Sequence, residues 1–325
     1  MEISKRLLDQ IVSDLGLNVP YVKGVDKKVS NCWHFYSDGN DVDEMFYGDD
    51  DFRDGMNRVF VTVCKYKVVI LAFALMDTHF HFVLYGSYLE CLTFINDYLQ
   101  RTSQYIAIKH GDLNKLSLVK ISHQKVETEL YLKTVICYTI KNPTVGGVYC
   151  LPHNYPWSSG ALYFAGDGSA FSWASCNWLR VIDSCPTLKD FSIRELRQFL
   201  HTKEVVSSSA RVIDGLVFPG DYVAFELVEK LFRSYKSFQF FLSLNKEYEV
   251  ESMGGVISSL SIPMQEMRQH KSEICYELYR KKSTKSLNTT ERLKLARVLK
   301  SRYNSSIRQI VRLCGLNYDE CKDLV

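Results

Sequence analysis

Apolar residues recur at helical spacing over residues 3–15, over Phe52, Met56, Val59, Phe60 and Val63, and over Leu92, Ile95, Tyr98, Leu99, Tyr105 and Ile106. Each set gathers its large side chains on one helical stripe. Asp49, Asp50 and Asp51 open the second, where acids suit the positive end of a helix. Between the second and third sets the pattern changes. Residues 68–76 are uninterruptedly apolar and read as a buried strand; Asp77-Thr78 makes a turn, and residues 79–86 return as the other half of a hairpin. Residues 31–36 read as a short strand before the Ser37-Asp38-Gly39-Asn40 turn, and residues 116–123 alternate like another. A helix is predicted over 127–140, ending near Lys141 or Asn142, because Pro143 disfavours helical geometry in its predecessor. Strand, helix, hairpin, helix, strand, helix fits one antiparallel sheet with helices packed on it, an α+β domain.

The Gly166-Asp167-Gly168-Ser169 cluster marks a boundary. Three regions are predicted: 1–165, a layered α+β domain; 166–258, a helical connection; and 259–325, a basic helical module. Ser192 and Glu195 form a helix-start capping pattern, and residues 222–244 read as packed helix. Helices are expected over 264–282, 290–303 and 305–314, with Asn288, Glu291 and Ser305 as caps and Gly315 as a stop. A helix, a short turn and a second helix in a basic region make a helix-turn-helix pattern.

Charge sharpens that last reading. Residues 268–325 hold fourteen Lys and Arg against six Asp and Glu, a balance of +8 that leaves −5 for the rest of a chain whose total is +3. A basic module on a mildly acidic body suits an anionic partner, nucleic acid being the commonest. The ten cysteines show no C-x-x-C pair and read as reduced, buried side chains, with the cytoplasm as the expected location. No apolar run approaches the length of a membrane span, so no membrane partner is expected.

The candidate chemistry lies on two short segments. His79 and His81 stand at i and i+2 of the hairpin's return strand, so their imidazoles share a face. Tyr138 and Asn142 stand at i and i+4 of a helix and share a face of their own. Taken singly, each has an ordinary explanation: core packing for a histidine or tyrosine, a helix C-terminus for the asparagine. Taken together they offer three ligands for one divalent ion and a nucleophile beside it.

At these residues the chain resembles the REP-associated tyrosine transposase branch of the single-tyrosine HUH transposases. The matching blocks are residues 71–84 around Thr78-His79-Phe80-His81, residues 138–148 beginning Tyr138-Thr139-Ile140-Lys141-Asn142-Pro143, and Tyr155-Pro156-Trp157-Ser158-Ser159. Ser37-Asp38-Gly39-Asn40 is a looser fourth, and the likeness spans roughly residues 30–165. The resemblance implies a ferredoxin-like sheet. It makes His79, His81 and Asn142 ligands of Mg²⁺ or Mn²⁺ and Tyr138 the nucleophile that cleaves single-stranded or hairpin-bearing DNA through a 5′-phosphotyrosine intermediate. The C-terminal helices would then be an appended DNA-binding part. The chain departs from the family at Thr78, usually Asn, and at Asp38, usually basic, and it lacks the Gly-His-aromatic-Gln-Gly-Arg block before the tyrosine helix. The alternative is therefore a catalytically inactive or domesticated DNA-binding regulator of the same fold. Whether Tyr138 serves its own site or that of a second copy in a homodimer is left open by the sequence.

Overall fold

In the computed structural model, residues 5–111, 115–145, 150–165, 185–244, 264–303 and 307–317 are described, apart from 21, 23, 24, 40, 43, 205, 207, 208, 282 and 283. They form two compact units, residues 1–144 with 150–244, and residues 145–149 with 245–325.

The first unit is α+β. After helix α1 (Lys5–Asp14) come strand β1 (Lys28–Ser37), helix α2 (Asp49–Val63), the hairpin β2 (Val69–Leu75) and β3 (Phe80–Tyr85), and helix α3 (Tyr88–His110). Strand β4 (Ile121–Thr128) and helix α4 (Glu129–Val145) follow. The four strands form one sheet in the order β2-β3-β1-β4, every neighbouring pair antiparallel. Both crossovers skip one strand: β1-α2-β2 passes over β3, and β3-α3-β4 passes over β1.

Register decides which face each side chain takes. Tyr36 pairs with His81, Phe35 with Phe82, and His34 with Val83. Because strand side chains alternate, His34, Tyr36 and His81 share one face while Phe35, Phe80 and Phe82 share the other. The phenylalanine face packs on α3: Phe82 meets the rings of Phe94 and Tyr98 edge-on, and Phe80 meets Tyr98. Burying each such ring contributes roughly 1.5–3 kcal/mol. The histidine face receives α4, whose Tyr138 stands edge-on to both His34 and His81.

The edge of β2 is covered by the chain's own later segment. The Leu75 amide donates to the Trp157 carbonyl, and the Ser159 amide to that of Phe73. The hydroxyls of Tyr155 and Tyr163 donate to the carbonyls of Leu75 and Leu71, and Trp157 stacks on Phe52. The Tyr155–Ser159 block thus supplies backbone pairing and an aromatic lid to a strand whose seven residues are all buried.

Residues 188–244 also belong to this unit. They hold helix α5 (Ile193–Leu200), the short hairpin β5 (Val212–Ile213) and β6 (Leu216–Val217), and helices α6 (Phe225–Phe232) and α7 (Tyr235–Ser243). Ser192 and Glu195 close the expected reciprocal cap on α5. Buried Asn57 of α2 holds the segment in place: its amide nitrogen donates to the carbonyls of Phe199 and Gly215, and its oxygen accepts from the Val217 amide.

Several element boundaries differ from the sequence reading: β1 starts three residues earlier than 31, the helix expected over 264–282 ends at Tyr279, and the region read as a helical connection holds the hairpin β5–β6. Two further differences have a clear local cause. Residues 115–118 form a 3₁₀ turn, and the strand expected over 116–123 lies at Ile121–Thr128. Leu116 and Val119 are buried three positions apart, the repeat of a 3₁₀ turn and not of a strand. The second difference is α4, which begins at Glu129, where Thr128 Oγ1 accepts from the Tyr131 amide, and continues through Pro143 to Val145. Proline's preference for an extended predecessor is overridden here, because Asn142 is buried and held by His79.

Among the described residues, the second unit holds helices α8 (Met264–Tyr279), α9 (Thr289–Tyr303) and α10 (Ile307–Cys314), packed around Ile274, Cys275, Leu287, Leu295, Leu299 and Ile310. Asn288 and Glu291 cap α9 reciprocally, the Glu291 amide donating to Asn288 Oδ1 and the Asn288 amide to Glu291 Oε2. Gly315 ends α10 with φ +65°, a left-handed stop that glycine adopts freely. Ser305, the expected cap of α10, lies outside the described residues. No helix of the described residues is long and apolar enough to cross a membrane. The eight cysteines among the described residues carry free thiols.

Candidate active site

The four sequence-predicted site residues meet on the histidine face of the sheet. His79 ends the turn between β2 and β3, and His81 follows on β3 itself; their ring centroids lie 5.2 Å apart with the planes nearly perpendicular. Asn142 on α4 places Oδ1 2.9 Å from His79 Nε2. One turn earlier on the same helix, the Tyr138 ring stands edge-on to His81 at a centroid distance of 5.4 Å. His81 and Asn142 are buried, whereas His79 and Tyr138 are half-buried, so the cluster opens to solvent on their side.

Each ring of the pair is held from behind. His79 Nδ1 lies 2.9 Å from the Thr78 hydroxyl. In the neutral ring with its proton on Nε2, that N–H donates to Asn142 while the threonine hydroxyl donates to Nδ1. With the proton on Nδ1 the ring donates to the hydroxyl instead, and Nε2 presents a lone pair. Thr78 therefore supports either tautomer. Gly39 closes over this pair: a Cβ there would come within 3.0 Å of both His79 Nδ1 and Thr78 Oγ1. The glycine in the Ser37–Gly39 turn is explained by that close approach.

His81 Nδ1 lies 3.1 Å from Nε2 of His34, a β1 residue. The two rings are stacked, with centroids 5.3 Å apart, and Tyr36 stacks against both. Burial holds both imidazoles neutral. It pushes His34 down to about 3 and His81 well below the usual histidine range, His81 being lowered further by the neighbouring His79 and His34. Neutral imidazole is the form that binds a metal ion.

His34 and Tyr36 had no signal in the sequence as read. Their spacing of two on a strand put them on one face, but only the pairing of Tyr36 with His81 shows that it is the face of the site.

The donor set fits a moderately hard divalent ion. Among the described residues no group of three or more His, Cys, Asp or Glu is placed to hold a metal; the set here is two imidazoles and a carboxamide. Adjacent ligands on an octahedral ion with bonds of about 2.1 Å stand roughly 3 Å apart, and the His79 Nε2–Asn142 Oδ1 separation is 2.9 Å. His81 is engaged through Nδ1, so Nε2 is the ring nitrogen left for a ligand role. Nitrogen and amide-oxygen donors without a thiolate suit Mg²⁺ or Mn²⁺ better than a cysteine-type zinc site.

Comparison of the chain with family models, with curated proteins and with solved structures found no match.

Proposed function

We propose that the chain is a metal-dependent DNA transposase, a single-strand endonuclease and ligase of the single-tyrosine HUH kind. His79, His81 and Asn142 would hold Mg²⁺ or Mn²⁺, and Tyr138 is the nucleophile. The observation that carries this reading is the 2.9 Å approach of Asn142 Oδ1 to His79 Nε2, with Tyr138 one helical turn away against His81. Histidine packing alone would not require an asparagine and a tyrosine on one helical face to meet both rings. The strand order and the two interleaved crossovers support a ferredoxin-like assignment for the sheet. Helices α9 and α10, with the basic charge of residues 268–325, support a helix-turn-helix DNA-binding role for the second unit.

The chemistry follows from the residues. The Tyr138 phenol oxygen attacks a phosphodiester phosphorus in single-stranded or hairpin-bearing DNA, and the P–O3′ bond breaks. The phosphate is left on tyrosine through its 5′ side, and the phenol's proton passes to the departing 3′ oxygen. A bound divalent ion supplies Lewis-acid neutralisation of the non-bridging oxygens. Attack by a 3′-hydroxyl on the phosphotyrosine reverses the step, and a phenolate is a good enough leaving group for strands to rejoin without an external energy source. The burial of His81 and Asn142 fixes two of the ligands before DNA arrives, so little reorganisation accompanies the reaction.

The test is incubation of the full chain with single-stranded oligonucleotides and Mn²⁺. An SDS-resistant protein–DNA adduct through a 5′ phosphate, absent in Tyr138→Phe, is expected. A second reading, a DNA-binding regulator of the same fold without catalysis, is favoured by the carboxylates of Asp38 and Asp77. They flank Gly39 and Thr78 at the His79 side of the site, where a phosphate backbone would have to pass. Salt-sensitive DNA binding with no adduct under any metal would select that reading.

A further inference from the structure

We propose that His34 is a positioning residue for His81, and that with Gln124 it forms a buried hydrogen-bonded chain that dictates which nitrogen of His81 is offered to a divalent cation. The inference rests on the metal-site reading above and deepens it.

His34 lies at the centre of the sheet, 1 % exposed, with Nε2 3.1 Å from His81 Nδ1. Two neutral arrangements of this pair exist. In one, His34 donates from Nε2 to His81 Nδ1, which puts the His81 proton on Nε2 and leaves that ring no lone pair for a metal. In the other, His81 donates from Nδ1 to His34 Nε2, and Nε2 of His81 is free to ligate; His34 must then carry its own proton on Nδ1. A ligating histidine that donates its second ring nitrogen to a fixed partner is the usual way a metal site orients its imidazoles.

The second arrangement needs an acceptor for the His34 Nδ1–H, and β4 supplies one. His34 Nδ1 is buried with no hydrogen-bond partner among the described residues, and so is Gln124 Oε1. His34 and Gln124 are direct cross-strand partners in the β1–β4 register, so their side chains rise from the same face of the sheet. One is a donor in this tautomer and the other an acceptor. Leaving both unpaired costs roughly 1–3 kcal/mol for each group, and directly opposite side chains, with Cβ atoms about 4.5–5.5 Å apart, stand within reach of each other. The chain Gln124–His34–His81 then runs through three neighbouring strands towards the site, and only its last member would touch the cation.

Histidine-selective ¹⁵N NMR on the full-length protein loaded with Mg²⁺ reads the tautomers directly. His81 is expected to carry its proton on Nδ1 and His34 on Nδ1; an Nε2-protonated His81 overturns the proposal. Mn²⁺ titration of variants gives the second readout. His34→Leu is expected to weaken Mn²⁺ binding on the order of 10- to 100-fold, with His34→Gln, whose amide oxygen accepts from His81, recovering most of it. Unchanged Mn²⁺ affinity in a folded His34→Leu protein also overturns the proposal. His81→Ala separates the two levels of the argument. If the wild-type protein binds Mn²⁺ and His81→Ala does not, the metal site stands and the His34 variants decide the positioning role. If neither the wild type nor His81→Ala binds Mn²⁺, the metal reading and this proposal fall together.

Discussion

The amide oxygen of Asn142 lies 2.9 Å from Nε2 of His79, across 63 positions of sequence. The contact joins the hairpin to the tyrosine helix and fixes where both side chains stand. Asn142→Ala is expected to weaken Mn²⁺ binding on the order of tenfold or more while leaving the fold intact, as followed by near-ultraviolet circular dichroism. His79→Ala and His81→Ala are each expected to abolish DNA cleavage in folded protein. Gross unfolding of both would favour core packing as their role.

Gly39 gives a test that replaces no ligand. Gly39→Ala places a methyl group 3.0 Å from His79 Nδ1 and Thr78 Oγ1, which presses the ring out of place. Because the φ of Gly39 lies outside the left-handed range, the substitution acts through this contact and not through backbone strain. Metal affinity should fall severalfold, with a change in thermal stability within ~1 kcal/mol.

Asn57 tests whether residues 188–217 fold with the sheet. Asn57→Ala strands the carbonyls of Phe199 and Gly215 and the amide of Val217. The expected loss is roughly 3 kcal/mol, one to a few for the buried unpaired groups together, measurable as a lower urea midpoint. A chain truncated after residue 165 should be less stable than the intact first unit for the same reason.

Asp51 sets an acid limit. Burial pushes its carboxyl up, but hydrogen bonds from Lys109, the Tyr47 amide and His110 outweigh burial and hold it below the usual carboxylate range. A carboxyl lowered by folding stabilises the protein fully above its unfolded value of about 3.9 and loses that contribution as pH falls through the lower folded value. Urea unfolding should therefore show falling stability below about pH 4. Asp51→Asn should reduce stability at pH 7 by about 1–2 kcal/mol, since a neutral amide replaces the buried anion that accepts from Lys109, His110 and the Tyr47 amide, and should flatten the acid limb.

Deleting residues 260–325 removes most of a separate compact unit. Affinity for long DNA and its dependence on salt should both drop, because fewer phosphate contacts release fewer counterions. Tyrosine chemistry on short oligonucleotides should persist. Unchanged affinity would count against a DNA-binding role for α9 and α10.

The parts of the site that obey local periodicity were legible in the sequence. His79 and His81 are two apart beside a turn, and Tyr138 and Asn142 are four apart on a helix, so each pair could be placed from spacing alone. His34 could not, because its role depends on the β1–β3 register, which is set by the burial of Phe35 and Phe82 on the opposite face. The start of β4 lies later than the pattern predicts because Leu116 and Val119 are buried three positions apart around a 3₁₀ turn, a spacing that local periodicity does not separate from a strand over so short a span. Pro143 pointed to an earlier helix end, and a tertiary contact to the preceding Asn142 outweighed that local preference. The Tyr155–Ser159 block stood out as a motif, but its use as the cover of β2 is a long-range pairing that no local pattern encodes.

Tyr138 packs against His81 of its own polypeptide, through a helix that follows β4 without a linker. For the proposed cleavage, that packing makes an arrangement within one polypeptide the expected one. Diluting the sample should leave the turnover of each molecule unaltered, and mixing a nucleophile-deficient chain with a ligand-deficient one should not restore what each has lost.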